Sequence, residues 1–523
     1  MSTTAKAPAL DAGSAHRVLA RAAYGAKPGE AAALARQGLG PWLDRQLALP
    51  PDDPTLVAQL EALRVPIRYA KGPDEPAVDE ARPLLTLAAS QTTNWLLVGR
   101  RGEPPIPGAE RDRPRVELIL STLLRKAAAE AQLRERLVEF WHDHFNVATP
   151  SLQFVSVSIV EHDRRIRGAA LGNFRTLLEA VATSPAMLVY LNNWTSRAGA
   201  PNENYARELL ELHTLGQAAY HGGARSGRDV PKLPDGRPAG YVDADVWEAA
   251  RALTGWTVAN NQPLDRARRL PRSGEFTYVA AWHDPYQKHF LGQDLDPFAP
   301  AMAHGKAVLD ALAVHPATAR HVCTKLARFL IGDPVPAAAV ARAEAAFQRH
   351  AEAPDQIART VRALLLGPEI AAPGYGRARR PLDFVAAAAR ALQLPFTPTM
   401  QLASQLSRAG QTLFAWPSPD GQPVDPEPYL GASALRARWA IAQGIGRNSW
   451  ATGASPLLAE CAGQPVARVT ARLAQTALGP AAPRVAETIA GVWQAAGRSA
   501  KPNAAEVGEL AGWVLTAPAF QTA

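Results

Sequence analysis

Apolar residues recur at helical spacing through most of the chain. Placed at roughly 100° per residue, Leu133, Leu137, Phe140, Trp141 and His144 share one face of a helix that runs to Phe145. Within 201–216, Tyr205, Leu209, Leu212 and Leu215 form a second apolar arc, with Glu208 in its middle and Asn202 as its N-cap. Val246, Ala249, Leu253 and Trp256 line a third helix, capped by Asp243 or Asp245. A small helical block opens the chain: 16–24, stopped by Gly25, then 28–38, then a helix from Gly40. Segment 301–370 is helical again. One β signal stands out: FTYVAAW and KHFLG flank His283–Tyr286, which predicts a hairpin over 276–292. Segments 71–82, 100–115, 217–240 and 411–429 carry the Pro, Gly and charge of loops. The last is long enough to serve as a lid or to pack as an irregular surface loop.

The pattern therefore predicts a mainly α protein, a multi-helix orthogonal bundle with a small β hairpin and long Pro/Gly loops. A main helical domain over 1–370 and a C-terminal helical module over 371–523 are expected. LLLGPEI at 364–370 and VLTAPAF at 514–520 echo one another and hint at related helical modules.

The polar residues that break the pattern are the candidate chemistry. A carboxylate inside an apolar arc is costly to bury unless it is paired, protonated or bound to a cation, which singles out Glu208. Glu211 and His213 follow it on the same segment. His142 and His144 point to opposite sides of their helix and would share a face only in an extended chain. His283 and Asp284 stand at the predicted turn, where they serve a site or close an Asx-type turn. Two histidines and a carboxylate suit zinc or non-haem iron. A mononuclear site is chemically sensible from His144 and Glu208 with one of His142, His213 or His283. In that arrangement Glu211, His213 and Asp284 supply acid/base groups. The competing reading is a buried polar network, Glu208 paired with His144 or with an arginine such as Arg251, that fixes helix packing without chemistry.

Five blocks carry a family resemblance: FWHDHF at 140–145, PNENYARELLELHTLG at 201–216, DVWEAARALTGW at 245–256, HDPYQKHFLG at 283–292 and HPATARHVCTKLARFL at 315–330. In this order they resemble the domain-of-unknown-function 1800 family of bacterial proteins, from about His16 to the C-terminus. The resemblance implies no defined chemistry. It does imply a sulfatase-like partner and, for many members, export.

Composition narrows the classes. The chain has 523 residues, 47% hydrophobic and 20% charged, ample for a large core. Two cysteines, Cys323 and Cys461, exclude a disulfide framework and a cysteine-rich zinc site. The net charge of +8 is mostly arginine in scattered groups, at 111–115, 164–165 and 377–380. No aromatic residues interleave with them as in a nucleic-acid platform, so they read as solvated faces and no specific nucleic acid is expected. No apolar run is long enough for a membrane span and the first 25 residues lack a signal-peptide core, so a soluble cytoplasmic protein is expected. GxGxxG after a strand, P-loop, HExxH and GxSxG motifs are absent. Two functions remain: a metal-dependent enzyme, hydrolase or oxidoreductase, with its His/carboxylate site between helices, or a non-catalytic partner or assembly factor for a sulfatase-like protein.

Overall fold

The computed structural model describes residues 8–72, 76–99, 105–149, 152–222 and 229–523. Those residues are mainly helical, with three two-stranded antiparallel sheets. The helices that position the site are α1 (Ala12–Ala22), α2 (Arg113–Ala128), α3 (Gln132–His144), α4 (Gln153–Ala169), α5 (Glu203–Glu211), α6 (Asp243–Ala252), α7 (Pro316–Leu330) and α8 (Pro381–Ala391).

Local chemistry sets their ends. Asp11 and Ser14 form a reciprocal capping box on α1. The Asn202 side chain accepts from the Tyr205 amide at 2.8 Å and caps α5. His315 caps α7 by accepting from the Ala317 amide, and Pro316 occupies the first turn. Three residues separate α2 from α3, and Gln132 turns its amide back onto the carbonyls of Lys126 and Ala129, satisfying the end of α2.

The sheets differ from expectation in three ways. β1 (Val65–Tyr69) pairs with β2 (Val78–Arg82), and β2 falls inside 71–82, which reads as loop. Val65 and Ile67 are buried, whereas β2 is VDEAR and shows its side chains to water, so it carries no apolar period. Trp256 does not extend α6 but opens β3 (Trp256–Asn260), because the helix stops at Ala252 and Gly255 turns the chain at φ +81°. The hairpin over 276–292 is replaced by two pairings: β4 (Arg272–Tyr278) with β3, and β5 (Lys288–Phe290) with β6 (Gln293–Leu295). The intervening Asp284 closes an Asx turn onto the Tyr286 amide at 3.0 Å.

One large core joins α1, α3 to α7 and the helices up to 371. A second unites α8 with the helices beyond it and takes in Ile119 and Leu123 of α2. Segments 364–370 and 514–520, alike in sequence, both end a helix and continue into a 3₁₀ turn. Cys323 and Cys461 are buried free thiols. No helix among the described residues is long and apolar enough to cross a membrane.

Arg377, Arg379 and Arg380 are not a solvated face: they are 7%, 4% and 2% exposed. Arg377 pairs with Asp383 at 2.5 Å, Arg380 with Asp143, and Arg379 stacks 4.5 Å from the Phe520 ring centre. Planar, weakly hydrated guanidinium groups tolerate such sites better than lysine does. Segment 411–429 is a packed strap. Asn146 donates to the carbonyls of Trp416 and Ser418, at 2.9 and 2.7 Å, and Tyr190 donates to that of Pro417 at 2.6 Å. Gly421 lies so close to α3 that a Cβ there would meet the Asp143 carbonyl oxygen at 2.0 Å.

Candidate functional site

Three successive residues at the end of α3 face three ways. His142 bonds Asp163 of α4 at 2.9 Å, and Arg167 holds Asp163 at 2.8 Å and Glu135 at 2.7 Å. Asp143 pairs with Arg380, whose other edge donates to the Gln422 carbonyl at 2.8 Å. His144, fully buried, donates from Nε2 to the His213 carbonyl at 3.0 Å. That bond fixes the tautomer and leaves Nδ1 as a bare acceptor, buried and without a partner.

α5 brings its C-terminal turn to this point. Its last turn runs past Glu211, so His213 lies beyond the helix, its amide donating to the Glu208 carbonyl at 3.1 Å. His213 is buried with Nε2 unbonded. α7 adds His321, which donates to the Leu212 carbonyl at 2.9 Å. Ring centres of His213 and His321 lie 6.2 and 5.9 Å from that of His144. Burial, with the charge of Lys325 next in size, keeps all three imidazoles neutral: His144 well below its ordinary range, His213 at about 3 and His321 at about 4.

Lys325 stands one turn after His321. No hydrogen-bond acceptor or carboxylate among the described residues lies within bonding distance of its ammonium. Burial lowers its pKa to about 8, against the opposing pull of Asp143 and Asp420. It lines a half-enclosed cavity of about 190 Å³ with Phe140, Asp143, His144, Arg328 and Asp420, roofed by 421–425 of the strap. Arg328 is tied down by Asp333 at 3.1 Å and Asp425 at 2.5 Å, so Lys325 is the cation left without a carboxylate.

The seven residues singled out from the sequence divide into three places. His144 and His213 meet at the end of α3, and Glu208 and Glu211 lie on α5, the segment that leads to His213. Glu208 is half-buried, and burial followed by the charges of Glu211 and Asp420 raises its pKa. It pairs with neither His144 nor Arg251, so the buried network expected through it is not formed. His142 belongs to the Asp163 pair on the other side of α3, beside a small cavity of about 50 Å³. His283 and Asp284 sit against α6 instead: Asp284 grips Arg251 at 2.9 Å, and His283 bonds His304 at 2.9 Å. No group of three His, Cys, Asp or Glu side chains among the described residues converges as a metal ion requires. Zinc or iron therefore does not fit the set as arranged, and no step is assigned to one.

A buried network does exist, with other members. Glu139 takes Lys126 at 2.8 Å and both Arg136 and Arg380 at 3.3 Å, and Arg136 continues to Asp383 at 2.8 Å. Sequence reasoning passed over Lys126, Arg136, Glu139, Asp383 and Lys325 because each sits at a helical position that a solvated charge also occupies, and it read Arg380 as part of a solvated face. A weak signal for Lys325 was available: His321, Lys325 and Arg328 repeat at i, i+4, i+7 on one face of a quoted block.

All five blocks meet in these two regions: FWHDHF, the α5 segment and the α7 segment around His144, and DVWEAARALTGW with HDPYQKHFLG at the Arg251 cluster. No curated protein and no solved structure matches the chain at a significant level. A family model described as a protein of unknown function, DUF1800, matches residues 17–522, and the chain belongs to that family.

Proposed function

We propose that the chain is an enzyme that acts on a small carbonyl compound, with the Lys325 amine as its nucleophile. The observation that carries this reading is a part-buried lysine in a cavity wall with no carboxylate within ion-pair distance of its ammonium. A desolvated lysine keeps a usable neutral fraction near pH 8, which is what imine formation needs. The neutral Nζ adds to the carbonyl carbon, the carbonyl oxygen takes up a proton, and loss of water leaves the imine. His144, which lines the same cavity and has Nδ1 unbonded, is the group we assign to relay the protons.

The test is reductive trapping. The protein is incubated with glycolaldehyde and cyanoborohydride across pH 6–10, and modified lysines are located by peptide mapping. Lys325 should label at least about tenfold faster than exposed lysines at pH 8, as expected for a pKa lowered by more than a unit. Labelling no faster than at Lys306 or Lys501 sinks the reading. Stoichiometric zinc or iron that is lost from His144→Ala would instead revive a metal-dependent hydrolase or oxidoreductase.

A second reading, a non-catalytic partner for a sulfatase-like protein, is favoured by exposed aromatics around the Arg251 cluster: Phe298 and Tyr286 are 92% and 74% exposed. It predicts that Tyr286→Ser with Phe298→Ser abolishes co-sedimentation with such a protein and leaves trapping at Lys325 intact.

A further inference from the structure

A second cavity, about 690 Å³, opens where α1 meets segment 373–379, the strap and the chain's last residues. His16, Arg17, Arg21, Arg377 and Arg379 line it, and the carboxylates among the described residues of its wall are the Asp333 side chain and the α-carboxylate of Ala523. Asp333 is already engaged by Arg328. Arg377 has Asp383, but Arg17, Arg21 and Arg379 have no carboxylate within ion-pair distance among the described residues.

Their hydrogen bonds do not discharge them. Arg17 donates to the Ala371 carbonyl at 2.7 Å, and Arg21 to the carbonyls of Glu369 and Ile370 at 3.1 and 2.8 Å. Arg21 is 1% exposed with Nε unbonded. Arg379 is 4% exposed, is braced on Phe520, and has Nη1 unbonded. A buried guanidinium without a counter-ion is costly, and arginine cannot escape by losing its proton. The crowding is felt locally. Burial and then the charge of Arg379 push His16 down to about 4, and burial and then Arg17 push Arg21 to about 10. Leu430, Leu478 and Pro480 form an apolar part of the wall.

We propose that this cleft binds a phosphate dianion carried on a small apolar group, with Arg379 and Arg17 as its charged contacts and the Leu430–Leu478–Pro480 wall against its organic part. Guanidinium groups match phosphate oxygens in pairs. Three guanidinium groups against the one α-carboxylate of Ala523 leave two positive charges in excess, which favours two negative charges over the single one of a carboxylate. This site is separate from the Lys325 cavity: Arg380 faces that cavity, Arg377 and Arg379 face this one, and Val424 lies in the wall between.

The experiment is calorimetric titration of the full chain at one low ionic strength with inorganic phosphate, phenyl phosphate and benzoate. Phenyl phosphate should bind saturably and tighter than phosphate, with benzoate weakest. Arg379→Gln should weaken phenyl phosphate about tenfold or more, the loss of one charge-assisted contact, without lowering the melting temperature of the ligand-free protein. Lys325→Met should leave the titration unchanged. Equal affinity for phosphate and phenyl phosphate supports the dianion site and assigns it to free phosphate. Wild type that takes up neither phosphate overturns the proposal, as does benzoate binding best. If Arg379→Gln fails to fold, Arg17→Gln decides: wild-type affinity in that half-exposed position overturns it equally.

Discussion

Lys325, part-buried, and Arg379, buried, are both cations without a carboxylate in ion-pair distance, yet they do different things with the same predicament. Lysine sheds its proton when desolvated, while arginine stays charged and needs an anion brought to it. The difference gives Lys325 a pH signature. Its folded pKa, about 8, lies below the ordinary 10.5, so the unfolded chain binds the proton more tightly. Below pH 8 both states are protonated and the burial penalty is constant. Between pH 8 and 10.5 the folded state is neutral first, and the penalty fades as pH rises. The stability of wild type minus that of Lys325→Met should therefore climb from pH 8 to pH 10.5 and be flat from pH 6 to pH 8. Urea midpoints of the two proteins across that range check it, and a difference independent of pH would remove the desolvated amine. Neither residue was legible in the sequence, because Lys325 sits on an amphipathic helix and Arg379 in a Pro- and Arg-rich connection. Only the partners they lack distinguish them, and those are set by the fold.

At the scale of elements, α3 carries the most consequence in the fewest residues. Glu139, one turn before Asp143, is the carboxylate to which Lys126, Arg136 and Arg380 all turn. Burial alone would raise its pKa, but these three cations hold it far below the usual range. Glu139→Gln leaves buried positive charges short of a partner, so unfolding free energy should fall by about 3–5 kcal/mol, read from urea denaturation at pH 7. Acid should act the same way on wild type: the contribution is complete above the unfolded carboxyl's pKa and fades as pH falls through the lower folded value. A loss under about 1 kcal/mol would mean the network is solvated rather than structural. The helices themselves were readable because their signals are local: Asn202, Pro316 and the apolar arcs of α3 and α5 act within one or two turns. The strands were less so. β2 is exposed and has no alternation, and β5 is tied by its buried Lys288 to the carbonyls of Asp284 and Tyr286, both at 2.7 Å. Segments of three to five residues are too short to carry an alternation that would mark them. The same limit hid the strap. Its Pro, Asp and Gly mark a loop, but that Gly421 must lack a Cβ to lie on α3 follows only from where α3 ends.

At the scale of the molecule, the question is whether 371–523 stands apart from 1–370. Two hydrophobic clusters argue for separation, and the traffic across the boundary argues against it. α2 gives Leu118 to the first cluster and Ile119 and Leu123 to the second. Arg136 reaches across to Asp383, and Arg380 to Asp143 and Glu139. Arg390 donates to the Gly25 carbonyl at 3.0 Å and pairs with Glu30 at 2.9 Å. Arg21 meets the carbonyls of 369–375 from the opposite end. Cutting at 370 would leave Arg380 and Arg390 without their acids, and Asp383 with Arg377 alone. Buried ions stranded in that way cost several kcal/mol each, against a total stability of about 5–15 kcal/mol for a typical domain. Fragment 371–523 should therefore not fold on its own, giving no sigmoidal melt by circular dichroism, and the intact chain should unfold in one calorimetric transition. Two resolved transitions, or a fragment that melts cooperatively, would show that the ion pairs across the seam are secondary to the two apolar cores. The Lys325 cavity and the arginine cleft, both walled from each side of that seam, would then depend on how two separate bodies dock.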